Sequence, residues 1–232
     1  MVRRRRSPWA GFGLALITVA VIVVGAWLAT RTPPAASVPS PVSPPTGREA
    51  RVDWVADGDT LDVTFSGDQQ RTRVRLLGID APEGPANGRP AQCLADEARA
   101  ALLELAPRDG TVQVTDLGRD RFGRRLVALT TPTGTLVNAE LVRRGLAAPL
   151  VVGRDVRLQD QIGAAQAEAA ASEQGLHAWT GCTIRGRLAT GDPVEARRVL
   201  DDLLADQRNA LVQGLTDPAR DQAIADARRL SR

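Results

Sequence analysis

Arg75-Leu76-Leu77-Gly78-Ile79-Asp80-Ala81-Pro82-Glu83 is the stretch from which the rest of the chain is read. It begins as a strand. Val74, Leu76 and Ile79 are apolar, and Arg75 projects on the side opposite Val74 and Leu76. It ends where Pro82, which has no N–H, leaves the ladder. Nine residues thus carry one fixed cation, Arg75, and two carboxylates, Asp80 and Glu83. A cation near two acids suits phosphate binding, a hard metal and activation of water. A plain strand end, with Arg75 paired locally to Asp80, is the competing reading.

Upstream, Asp53 to Ala56 reads as a strand and Asp57-Gly58-Asp59-Thr60 as a turn. Leu61, Val63 and Phe65 alternate with Asp62 and Thr64, a second strand. Ser66-Gly67-Asp68 turns the chain, and Thr72 to Ile79 is the third strand of a meander. Asp59 then lies near the start of strand two, where an antiparallel partner brings the end of strand three and Asp80 close. Downstream, Leu94, Ala98, Ala101, Leu102 and Leu105 give Pro90 to Ala106 a helical period. Val112 and Val114 start a fourth strand. A polar loop follows over residues 116–123, then a fifth strand from Arg124 to Thr130. Asn138 to Arg144 is a short helix, and Asp155 to Gln174 a longer one. Five short strands with a helix after the third predict an α+β fold, a small five-stranded Greek-key barrel with three helices.

The chain has 232 residues, 43% apolar and 25% charged, enough for one ordinary domain with appendages. All 30 basic residues are arginine, and the net charge of +3 gives weak support for a polyanionic partner. One His and two Cys exclude a Cys/His zinc site of the usual spacings and argue against a His-based triad.

The appendages differ in composition. Residues 1–8 are a basic N-terminus with Arg3, Arg4, Arg5 and Arg6. Residues 9–30 carry no charge and would extend roughly 33 Å as a helix, enough to cross a bilayer. Trp9 and Trp27 lie near its ends, and the arginines before it predict a cytoplasmic N-terminus with the remainder outside. A cleaved signal peptide is the alternative, which would leave the protein secreted. Residues 31–50 form a Pro-rich spacer, residues 51–182 the main domain, and residues 183–232 a helical hairpin of no evident chemistry.

Four separated pieces occur in one order: Asp57-Gly58-Asp59-Thr60; Arg75 to Glu83; Asp120-Arg121-Phe122-Gly123-Arg124; and Val137-Asn138 through Leu141-Val142-Arg143-Arg144-Gly145. Together they resemble the staphylococcal nuclease (thermonuclease) family over roughly residues 51–182. The resemblance implies an oligonucleotide-binding (OB) fold, a five-stranded barrel that hydrolyses phosphodiesters in DNA and RNA with one Ca²⁺. It implies that Asp59 and Asp80 ligate the metal by carboxylate and Ala81 by its backbone carbonyl. Glu83 would be the general base, Arg75 and Arg124 the phosphate-binding pair, and Asp57, Thr60 and Asp120 supporting residues. The chemistry is self-consistent: arginine forks suit phosphate, Ca²⁺ takes hard oxygens, and a carboxylate near a bound water accepts its proton. The sequence departs from the family in having no Tyr, with Phe122 where Tyr is common and no aromatic from Leu146 to Val152. Phosphate tracking falls to Arg71, Arg73, Arg119, Arg121 and Arg125.

An extracytoplasmic location would allow Cys93 and Cys182 to pair; two free thiols are the alternative. His177 reads as a packing or capping residue. The expectation is a monomeric, membrane-tethered nuclease acting on nucleic acid outside the cytoplasm. A non-catalytic barrel binding nucleic acid or protein, or a structural envelope protein, is the alternative.

Overall fold

In the computed structural model, the structure describes residues 47–86, 88–151, 156–178, 181–205, 212, 214–215 and 217–232. The expected anchor at residues 9–30 lies outside them, as does most of the Pro-rich spacer. Among the described residues no helix is long and apolar enough to cross a membrane.

The strands are β1 (Arg48–Val55), β2 (Thr60–Phe65), β3 (Arg71–Leu76), β4 (Ile79–Asp80), β5 (Thr111–Arg119), β6 (Arg125–Thr130) and β7 (Ala148–Pro149). Among the described residues the α-helices are α1 (Ala95–Leu105), α2 (Val137–Arg143), α3 (Gln159–Ala171), α4 (Ile184–Ala189), α5 (Pro193–Ala205) and α6 (Asp217–Leu230). Five strands close into a barrel in the order β1-β2-β3-β6-β5. Closure leaves no open sheet edge. The β3–β6 pair is parallel and the other barrel pairs are antiparallel. Alternation drives the closure: Leu61, Val63 and Phe65 of β2 and Val74 and Leu76 of β3 all point into one core. Ala98, Ala101 and Leu102 of α1 and Leu141 and Val142 of α2 pack onto that core.

Several elements depart from the sequence reading. β1 begins at Arg48, so the barrel starts inside the segment assigned to the spacer. Ala50 is buried there and pairs with both Phe65 and Val112, a role that flanking Arg48 and Glu49 conceal. β5 continues to Arg119, through residues read as a loop, with a bulge between Asp116 and Gly118. The expected third strand is two pieces. It breaks at Gly78, whose φ of +84° suits glycine and turns the chain out of the barrel. Ile79 and Asp80 then pair with Pro149 and Ala148 of β7. α1 starts at Ala95 rather than near Pro90, because Leu94 has a φ of 68°.

The C-terminal segment is more than a hairpin. α4, capped by Thr183 Oγ1 accepting from the Gly186 amide at 3.0 Å, precedes α5 and α6. Ile184, Val199, Leu200, Leu203, Ala223 and Ala227 form a second core with Ala148 and Leu176, and Cys93 and Leu94 pack against it.

Candidate active site

The site begins at the β1–β2 turn. Asp57 Oδ1 accepts from the Asp59 amide at 3.0 Å, an Asx turn that sets the direction of Asp59. The Leu76 amide donates to the Asp59 carbonyl at 2.8 Å, and Thr60 is paired with Arg75 in the ladder. The hairpin therefore lays Asp59 beside the end of β3. Gly58 makes this approach possible: a Cβ there would lie 2.6 Å from Ala81 Cβ and 2.7 Å from Ala98 Cβ.

Arg75 projects from β3 away from the barrel core but is itself only 9% exposed. Its two terminal nitrogens donate to two different acids, Nη1 to Asp59 Oδ1 and Nη2 to Asp80 Oδ1, each at 2.6 Å. Asp59 is 1% exposed. Its Oδ1 also accepts from Thr60 Oγ1 at 2.9 Å, and its Oδ2 from the Ala81 amide at 3.0 Å. Burial pushes Asp59 up to about 8, against the pull of Arg75 and the Ala81 and Thr60 hydrogen bonds; Asp57 adds to the rise. Burial also raises Asp80, with Arg75 and Arg124 opposing it. One guanidinium therefore undercompensates two acids. That deficit is the condition in which a hard divalent cation is favoured.

The donor set is compatible with Ca²⁺. Asp59 and Asp80 offer carboxylate oxygens beside one guanidinium, and the Ala81 amide, bonded to Asp59 Oδ2, holds that residue's backbone next to them. Among the described residues no group of three or more His, Cys, Asp or Glu side chains is arranged for a metal. Two acids and one carbonyl would need water and substrate oxygens to complete the shell.

Glu83 lies beyond buried Pro82, at the edge of a cleft of about 300 Å³ walled by Gly84, Ala86, Arg89, Pro90 and Gln92. Its outer surface is exposed, yet partial desolvation raises its carboxyl, helped by Asp57 and Asp80 and opposed by Arg75 and Arg124. Arg124 thus acts on both Asp80 and Glu83. Its own position is set by Asp120, whose Oδ2 accepts from Arg124 Nε at 2.7 Å and whose Oδ1 accepts from the Phe122 and Arg124 amides at 2.9 Å. Slight desolvation would raise Asp120, but these three donors outweigh it and hold it low. Hydrogen bonds join Asp59, Arg75, Asp80 and Ala81 in one cluster, and Glu83 and Arg124 are near enough to act on it through charge. Asp57, Thr60 and Asp120 orient them.

The pattern described as "Staphylococcal nuclease homologue" matches residues 73–180. Residues 73–180 form an SNase-like domain. Asp57, Asp59 and Thr60 precede the matched residues, and the fold brings them to the domain. A micrococcal nuclease of Shigella flexneri is 40% identical over 101 residues, covering 40% of this chain and 53% of that protein. An uncharacterized endonuclease of Escherichia coli O157:H7 is 39% identical over 98 residues, 42% of this chain and 58% of that protein. A thermonuclease of Staphylococcus hyicus is 28% identical over 158 residues, 68% of this chain and 90% of that protein. The chain spans just over half the length of the first two of these curated relatives.

Other residues of the SNase-like domain have less open roles. Arg73 is held by Asp62 through two bonds of 2.7 and 3.0 Å, and Arg71 lies 3.7 Å from Asp53. Arg119 Nη1 donates to the Gly123 carbonyl at 2.8 Å, and Arg125 lies 3.5 Å from Asp116. All four have partners within the protein, while the Arg71 and Arg73 side chains stay more than half exposed, at 60% and 57%. Phe122 is 70% exposed, with Arg121 and Arg124 over its ring at 4.7 and 5.8 Å. Cys93 and Cys182 are disulfide-bonded. His177 is buried in a 3₁₀ turn, where desolvation and Arg185 lower it.

Asn138, in the fourth of the sequence motifs, has a role that the motif does not reveal. It is fully buried; its Oδ1 accepts from the Leu129 amide, and its Nδ2 donates to the Leu77 and Val127 carbonyls. It therefore pins the turn that carries β3 into β4. The available signal was a polar residue on the buried face of an apolar helix.

Proposed function

We propose that this protein hydrolyses phosphodiester bonds in DNA, RNA or both, using Ca²⁺ held by Asp59, Asp80 and the Ala81 carbonyl. The observation that carries the reading is the pair of acids, Asp59 and Asp80, held on the one guanidinium of Arg75, with Glu83 three residues further on at the edge of a cleft, in a domain whose relatives bear nuclease names. When bound, the metal supplies positive charge to a phosphoryl oxygen and orientation to water. Glu83, raised above its ordinary value, accepts the proton of the attacking water. Arg124 faces the phosphate with the guanidinium nitrogens not used by Asp120, and stabilises charge that develops there. Arg75 orients both acids and turns toward a phosphate oxygen when substrate and metal arrive. Phe122 offers an exposed ring to a base.

The reading places the domain outside the cytoplasm as a monomer anchored by residues 9–30, or secreted if that segment is cleaved. The arginine-flanked apolar run supports this, as does a disulfide suited to oxidising surroundings.

The test is cleavage of single-stranded DNA and RNA by the full chain with Ca²⁺ or with chelator. Glu83→Gln is expected to lose about 10²–10⁴ of the rate, and Arg124→Ala a comparable amount. Cutting that survives chelation, or that both variants leave untouched, refutes the mechanism.

A further inference from the structure

Glu83 is held at both of its backbone groups by one distant residue. Its amide donates to Gln92 Oε1 at 3.0 Å, and its carbonyl accepts from the Gln92 amide at 2.9 Å. Before it, buried Pro82 fixes one dihedral of the chain. After it, the segment leaves through Gly84 and Pro85 and returns through Gly88 and Pro90, with Ala86 and Arg89 bridged in between. The clasp therefore closes a loop whose first residue, Gly84, would otherwise let the Glu83 backbone rotate freely.

Gln92 is itself well anchored. Its carbonyl accepts from the amide of Ala95, the first residue of α1, at 3.2 Å. The next residue, Cys93, is bonded to Cys182. A rigid path thus runs from α1 and the disulfide through Gln92 to Glu83. The loop could have been closed by the backbone bond alone. The side-chain bond adds a second restraint, on the Glu83 amide, which fixes the backbone on both sides of the Cα from which the side chain projects.

We propose that Gln92 is a positioning residue that orients Glu83 for proton abstraction. The proposal rests on the reading of Glu83 as general base. A carboxylate misplaced by about 1 Å loses much of its effect on an oriented water. Gln92 acts in this role through Glu83, so its loss appears in turnover more than in binding.

Two measurements test it. The first is kinetic and uses the full chain on single-stranded DNA with Ca²⁺. Gln92→Met, equal in length but without an acceptor, is expected to lower kcat about tenfold with KM within twofold. In a Glu83→Gln background the same change is expected to cost less than twofold. Gln92→Glu keeps an acceptor oxygen and is expected to retain more of the rate than Gln92→Met. An unchanged kcat in Gln92→Met overturns the proposal, as does a further tenfold loss in the double variant. The second measurement needs no activity. In the wild-type protein the Glu83 amide is expected to exchange its hydrogen at least tenfold more slowly than an unprotected amide. Exchange at the unprotected rate overturns the proposal, even if Gln92→Met fails to fold. A wild-type chain that cuts neither DNA nor RNA defeats the nuclease reading instead, and the exchange measurement still decides whether the clasp exists.

Discussion

Arg75 Nη1 lies 2.6 Å from Asp59 Oδ1 in a place almost closed to water, while the other end of the same guanidinium is taken by Asp80. Removing the cation strips buried Asp59 of its ion-pair partner and leaves Asp80 with Arg124 as its remaining opposing charge. Arg75→Met is expected to destabilise the metal-free protein by about 3–5 kcal/mol. Ca²⁺ is expected to restore more stability to this variant than to the wild type, because it binds the native acids only. Urea unfolding with and without Ca²⁺ measures both; equal midpoints in wild type and variant would remove Arg75 from the stability of the site.

Asp59 gives the protein a pH dependence of definite sign. Its folded value is about 8 and its ordinary value 3.8. Between these limits the native state holds the proton and the unfolded state does not, so stability falls as pH rises from about 4 to 8. Asp59→Asn is expected to flatten this slope in the metal-free protein. The check is the urea midpoint at pH 5 and pH 8, with Ca²⁺ stabilising more at the higher pH.

Gly58 sits where any side chain collides with Ala81 and Ala98. Both neighbours are short and backbone-bound, so the turn must move rather than a flexible tip. Gly58→Ala is expected to reduce Ca²⁺ affinity at least tenfold and to lower stability by about 1–3 kcal/mol. Isothermal titration of Ca²⁺ and a thermal melt read the two effects.

Asn138 satisfies three backbone groups near the β3–β4 turn. Asn138→Leu leaves the Leu129 amide and the Leu77 and Val127 carbonyls without this partner. A loss of about 2–5 kcal/mol is expected, read from denaturant midpoints, with cleavage falling wherever the turn to Asp80 loosens.

The Cys93–Cys182 bond closes a loop of 89 residues in sequence separation. Replacing both by Ser is expected to cost on the order of 4 kcal/mol in the chain-entropy picture. An unfolding midpoint indifferent to reductant would show that the bond contributes nothing to stability.

Much of this arrangement was legible in the chain. The alternation in Leu61-Asp62-Val63-Thr64-Phe65 marks β2 because one face is buried and the other wet. The hairpin geometry already implied that Asp59 approaches Asp80. What stayed hidden depends on contacts remote in sequence. Ala50 is core only because Phe65 and Val112 flank it. Asp116 and Arg119 look like loop residues, yet β6 supplies a ladder for them. Gly78 does not announce that strand three divides, since its partner strand β7 is two residues long. Ile184 to Ala189 contains Gly186 and two arginines, a poor amphipathic pattern, and its helix is held by the second core. Gln92 carries no signal at all, because its bond to Glu83 is visible only when the loop is closed.

The two-residue ribbon of β4 and β7 has a consequence for the far end of the chain. Asp80 is registered against Ala148, and Ala148 is a member of the core that α4, α5 and α6 complete. The acid at the centre of the chemistry is therefore braced from behind by helices that carry none of it. A chain ending before Ile184 would strip the apolar backing from the strand opposite Asp80, and the C-terminal helices become a keel for a site they do not line.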